Sequence, residues 1–232
     1  MRKEYLKSSA LGLLLLLARM PDLSADGTPT NEMPAQLSAL IEEANKIPLG
    51  RDGRGGVQGS FLRETLSAMG SEGIELLILE LKNPVRVPLH HGGEMQASTF
   101  AGRACEIYAG FGKDAYDRLS EELKKDSSLD FWRNACYVYY CSEHEDSLDV
   151  LAGWVTENGV DARFKPQVSA RAYNLLGVKL RVAHLPDPPF GTREPDLPVK
   201  FQQWWQSNRQ TVVQQYLEQK KSQAAAAKVP DK

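Results

Sequence analysis

From Leu37 onward, apolar side chains return every three or four residues, the spacing that gathers them on one face of a helix. Leu37, Leu40, Ile41, Ala44 and Ile47 make a first stripe, and Pro48 and Gly50 close it. After the glycine-rich stretch GRDGRGGVQG, Ser60 is placed to cap a helix running to Met69, and Gly70 to end it in the left-handed turn that glycine tolerates best. Ile74, Leu77, Ile78 and Leu81 form the next stripe, stopped by Asn83-Pro84. Phe100, Ala104, Ile107, Tyr108 and Phe111 line a helix ending at Gly112, and Ala115, Tyr116, Leu119 and Leu123 line its partner. DFWRNACYVYYC and DSLDVLAGWVTENG read as a third pair, closed by Gly159. KPQVSARAYNLLGVKLRVAH and LPVKFQQWWQSNRQTVVQQYLEQ read as a fourth, with Pro166 and Pro198 each suited to a first helical turn. Strand signals are nearly absent: VRVPL is short and holds a proline.

The first helices of these pairs begin near residues 60, 97, 130 and 166, separations of 37, 33 and 36. Fixed periods in this range mark stacked helical repeats, because a hairpin of this size cannot bury its apolar face without neighbours. The expected fold is all-α: a solenoid of about four stacked helical hairpins preceded by one N-terminal helix.

VSARAYNLLG, from Val168 to Gly177, resembles the HEAT-repeat pattern of an arginine and a small residue followed by leucine and glycine. AGRACEIYAGFGKDAYDRLSEEL and LRETLSAMGSEGIELLILEL resemble it too, and FWRNACYVYY is a poorer copy without the glycine. The ending resembles the W-x-x-W-W-x-x-N closing helix of some exported bacterial HEAT-like proteins, with Phe201 in the first aromatic place. The resemblance implies a scaffold for protein contacts over residues 34–220, with a flexible tail over 221–232.

Within that frame Phe201, Trp204, Trp205, Asn208, Val212 and Tyr216 form one helical stripe. Trp204 and Trp205 then seal the last layer of the core, while the surrounding glutamines and Arg209 face water. A ligand-stacking indole is the competing reading.

Composition adds a compartment. The chain has 232 residues, 42 % of them hydrophobic and 25 % charged, with a formal net charge of −2. That balance argues against a dedicated nucleic-acid binder, which normally carries a cationic surplus against phosphates, and leaves a local basic patch open. Residues 1–25 have the layout of a secretory signal peptide: Arg2, Lys3 and Lys7, then a nine-residue apolar run from Ala10 to Ala18, then a small-residue site after Ala25. The run is too short for a transmembrane helix, which needs about 20 residues. Arg19 directly after the run and the bulky Leu23 depart from the layout, and an amphipathic first helix is the other reading. Cleavage after Ala25 leaves a linker over 26–33 and 24 basic against 28 acidic residues, a net −4. Of Cys105, Cys136 and Cys141, the first two are the expected pair if an oxidising compartment forms one bridge.

Candidate chemistry is sparse. His90, His91 and Glu94 in PLHHGGEMQ are metal-ligand types, set in what reads as a flexible loop without a zincin pattern. They carry the alternative function, a metal-assisted enzyme. A lyase or chaperone for a cofactor-bearing partner is a third class. Cys136 and Cys141 lie five apart on a helix and so about 140° apart around it, and the carboxylates of EHED surround His144, which argues against a Cys141/His144 catalytic pair. Arg51 and Arg54 offer an anion site only if the glycine-rich stretch is more than a linker. Phe190 and Arg193 stand out as contact residues in the proline-rich LPDPPFGTREPDLP, and Arg103, Arg133 and Arg171 recur in phase, as struts between repeats or as a ligand-facing ladder. The expected function is protein binding or scaffolding in the periplasm or outside the cell, without a cofactor and without catalysis.

Overall fold

The structure, a computed structural model, describes residues 34–47, 56–84, 86–91, 94–125, 128–144, 146–194 and 196–226. The proposed signal peptide and linker, Arg51 and Arg54 lie outside them. The described residues are predominantly helical, with one two-stranded antiparallel hairpin. The chain falls into two compact units, residues up to Asp117 and residues from Arg118 on, where the repeat pattern predicts one domain.

The first unit opens with α1 (Ala35–Lys46), whose buried face is Leu37, Leu40, Ile41 and Ala44, the predicted stripe. α2 (Gly56–Ala68) begins four residues before Ser60, so Ser60 is an interior helical residue rather than a cap, and part of the expected glycine linker is helix. α3 (Ser71–Lys82) follows after Gly70, which has φ +60 as expected of a turn glycine. α2 and α3 approach closely at Gly73: a Cβ there would stand 2.1 Å from the Leu66 carbonyl oxygen.

The main departure comes next. β1 (Arg86–His91) and β2 (Glu94–Thr99) pair antiparallel, with Arg86 opposite Thr99 and His91 opposite Glu94. The loop expected around PLHHGGEMQ is therefore a hairpin. Pro88 is tolerated because a two-stranded ribbon has only edge strands, where a missing N–H need not break a ladder. The hairpin takes Ser98 and Thr99 into β2, so α4 (Ala101–Tyr108) starts later than the apolar stripe suggests.

The turn into α5 (Lys113–Leu123) is tied by two reciprocal bonds. Tyr108 Oη donates to Ala115 O at 2.6 Å and Tyr116 Oη to Ala109 O at 2.8 Å. Gly112 is not the helix-ending glycine expected of it. The helix stops four residues earlier, and Gly112 instead offers its carbonyl to Ala115 N at the start of α5. The tyrosine ties make a left-handed glycine unnecessary.

The second unit holds α6 (Leu129–Cys141), α7 (Ser147–Val155), α8 (Lys165–Val182) and α9 (Leu197–Ala226). Ser128 caps α6 by accepting from Phe131 N at 3.2 Å. α8 packs on both α6 and α7, and α9 packs on α7. α9 runs to Ala226, past residue 221 where a flexible tail is expected. With first helices starting at Gly56, Ala101, Leu129 and Lys165, the separations become 45, 28 and 36, less even than the apolar pattern predicts. The inserted hairpin accounts for the long first interval.

Phe201 is fully buried, with Trp205 stacked on it at 6.1 Å, Trp204 tilted against it at 5.8 Å and Tyr173 edge-on at 6.0 Å. Val212 and Tyr216 continue the buried line, and both tryptophans are half-buried. From this stripe Phe201 packs against Tyr173 of α8.

α7 and α8 end alike, in Schellman motifs with a non-glycine residue in the left-handed position. Glu157 has φ 62, with Asn158 N bonded to Gly153 O and Glu157 N to Trp154 O. His184 has φ 51, with Leu185 N bonded to Leu180 O and His184 N to Arg181 O. Gly159, expected to close α7, has φ +72 two residues further on.

Cys105, Cys136 and Cys141 are all free thiols, so the expected bridge between Cys105 and Cys136 is absent. Each of those two is buried in the core of its own unit, where cysteine behaves as a small apolar side chain.

Candidate functional site

The most unusual polar arrangement lies in the second unit, where α6 ends. The last carbonyls of a helix have no partner within it and carry the negative end of its dipole. Lys179, projecting from α8, meets them. Its Nζ donates to Tyr139 O at 3.1 Å, Tyr140 O at 3.1 Å and Ser142 O at 2.5 Å, and also to Ser147 Oγ at the start of α7, at 3.1 Å. One ammonium thus closes the end of one helix and pins the beginning of the next. α8 makes a second such tie: the buried Ser169 Oγ donates to Val155 O, the end of α7, at 2.7 Å.

Lys179 is only 7 % exposed. Burial pushes its ammonium down to about 8, and the charge of Lys220 acts in the same direction. Both lysines lie near the ring of Tyr216, with Nζ 5.5 and 5.8 Å from its centroid. Lys220 is held by Glu143 at 2.7 Å, and this pairing keeps the Glu143 carboxyl below its ordinary range. Gln219 donates from α9 to Ala183 O, at the end of α8, at 2.5 Å. Two helix ends and their side-chain partners so enclose an open cleft of about 260 Å³, bordered by Tyr140, Cys141, Val182 and Tyr216.

Chemically, Lys179 is a poor nucleophile. Its three protons face four acceptors, and a lone pair on the neutral amine would point at one of them. The arrangement is a helix-closing cation at the floor of a small cleft.

The residues singled out from sequence fall elsewhere. The backbone register places His91 opposite Glu94 and His90 opposite Met95, while the side chains of the hairpin lie outside the described part. Among the described residues, no group of three or more histidine, cysteine or acidic side chains is placed to hold a metal. His144 Nδ1 accepts from Asp146 N at 3.3 Å, a turn contact. Phe190 is half-buried and its carbonyl accepts from Tyr173 Oη, while Arg193 is exposed, so the proline-rich loop is pinned at Phe190 and open at Arg193. Arg133 is exposed and pairs with Asp130 on its own helix at 3.1 Å, Arg171 is exposed, and Arg103 lies over Gly59. Sequence reasoning passed over Lys179. The available signal was a lysine at an inward position of the stripe Val168, Ala172, Leu176, three residues after the last of these.

The fold and the cleft define a helical protein with a lysine-closed helix end. No protein-family model, curated protein or solved structure matches this chain. Among the described residues, no helix is long and apolar enough to cross a membrane.

Proposed function

We propose that this chain is an exported protein-binding module built from HEAT-like helical hairpins. The carrying observation is the run of consecutive helices α2 to α9, each with an apolar face buried and a polar face turned out. Helical pairs that stack act as solenoid scaffolds, binding through an extended surface. The aromatic seal under Trp204 and Trp205 supports the reading, since a terminal repeat must cover its neighbour's apolar side. The reading needs no catalysis, cofactor or nucleic acid.

Two measurements test it. Crosslinking in the native host followed by purification of the full chain is expected to recover the same partner protein in repeated preparations, bound stoichiometrically on reconstitution. Recovery of the chain alone would sink the scaffold. Intact-mass analysis of the native protein is expected to show a start at Asp26, and a start at Met1 would remove export from the proposal.

A further inference from the structure

The cleft at the end of α6 has features that closing a helix does not require. Lys179 already meets the Tyr139 and Tyr140 carbonyls near the end of α6 and the Ser142 carbonyl just past it, yet a second ammonium, Lys220, stands beside the same Tyr216 ring. Two like charges sharing one low-dielectric wall repel, and the depression of Lys179 by Lys220 is the measure of that repulsion. What offsets it is one carboxylate, Glu143, whose side chain is 79 % exposed. A pair with so exposed a partner is weak and readily exchanged. Around this charge the wall is mixed: Tyr140, Tyr216 and Val182, the last 73 % exposed, make its apolar side, and Ser142, Gln219 and Gln223 its polar one.

We propose that this cleft binds a small organic carboxylate, its anion seated on Lys220 in place of Glu143 and its apolar body lying along Tyr140, Val182 and Tyr216. Glu143 is then an internal stand-in that occupies the cation when the cleft is empty. The class follows from the chemistry: one ammonium at the mouth selects an anion, the neighbouring aromatic and aliphatic wall selects an apolar body, and about 260 Å³ admits a small molecule rather than a folded domain. A carboxylate fits better than a phosphate. A dianion calls for more donors than Lys220 supplies, and the carbonyls at the end of α6 put partial negative charge nearby. This site is independent of the protein-binding reading, and either can fail alone.

The test is calorimetric titration of the purified full chain with N-acetyl-leucine and, separately, with N-acetyl-leucinamide, which keeps the body and loses the charge. The acid is expected to bind in the millimolar range and the amide at least about tenfold more weakly, the size of one charge-assisted hydrogen bond. Lys220→Gln is expected to weaken the acid to the level of the amide, and Lys220→Arg to retain it. Glu143→Gln, an exposed substitution that leaves the helix end untouched, is expected to tighten acid binding several-fold by removing the competitor. Equal binding of acid and amide, no binding of the acid, or an affinity unchanged in Glu143→Gln would each overturn the proposal.

Discussion

Lys179 concentrates more of the second unit's polar organisation in one atom than any other described side chain. Lys179→Met keeps the buried stem but strips the donor from three carbonyls and a hydroxyl. The expected loss is about 3 kcal/mol or more, read from the denaturation midpoint. The pH dependence has a definite sign. With the folded group near 8 and the unfolded group at its ordinary 10.5, the unfolded chain holds the proton across that window while the folded one releases it. This lysine therefore makes the protein more stable as pH rises from about 8 to about 10.5, by up to about 3 kcal/mol, and contributes no pH dependence below it. The check is the difference in stability between wild type and Lys179→Met at about pH 7.5 and about pH 10, which is expected to widen at the higher pH. The cysteines give a second residue-scale expectation. Cys136 is fully buried and its thiol is pushed up to about 12, Cys105 is also buried, and Cys141 is half-buried beside the cleft. Under native conditions iodoacetamide is expected to label Cys141 first, with the other two reacting only on unfolding, as peptide mass mapping would show.

At the scale of elements, the ends of α7 and α8 store a small strain. A left-handed non-glycine residue costs about 1 kcal/mol. His184→Gly is expected to stabilise by at most about 0.5 kcal/mol after the flexibility gained by the unfolded chain is subtracted, measured by urea denaturation. The side chain is exposed, so little packing is lost with it. Most helices were legible because each carries its own stripe. Leu37, Leu40, Ile41 and Ala44 in α1, and Ala115, Tyr116, Leu119 and Leu123 in α5, are buried as their spacing requires. The hairpin was hidden because VRVPLHH offers only a short alternation, while its strongest sign, Gly92-Gly93 between two six-residue segments, also reads as a loop. Gly112 misled for a different reason. The turn it was expected to make is fixed by hydroxyl-to-carbonyl bonds from Tyr108 and Tyr116, a tertiary contact that local pattern does not encode. The cleft was illegible for the same cause: Lys179 and the carbonyls it meets lie 37 to 40 residues apart in the chain, and Lys220 and Glu143 lie 77 apart.

For the whole molecule, the two compact units should be separable by probe. All four tryptophans, Trp132, Trp154, Trp204 and Trp205, belong to the second. Gly73, in the first, leaves no room for a side chain: its Cβ would meet Leu66 O at 2.1 Å. Gly73→Ala is expected to cost about 2 kcal/mol or more, despite alanine's better helix propensity, and to lower the midpoint seen by circular dichroism while leaving tryptophan fluorescence nearly unmoved. Lys179→Met is expected to shift the fluorescence transition. Coincident shifts of both probes in both variants would mean that the units unfold together.

The tie from α8 back to the ends of α6 and α7 also bears on biosynthesis. While the chain is still emerging from the ribosome, residues up to Val155 can coil, but their carbonyl ends stay hydrated until Ser169 and then Lys179 have been added. A nascent chain arrested before residue 179 should therefore remain protease-sensitive through this region, and one released just beyond it should begin to resist.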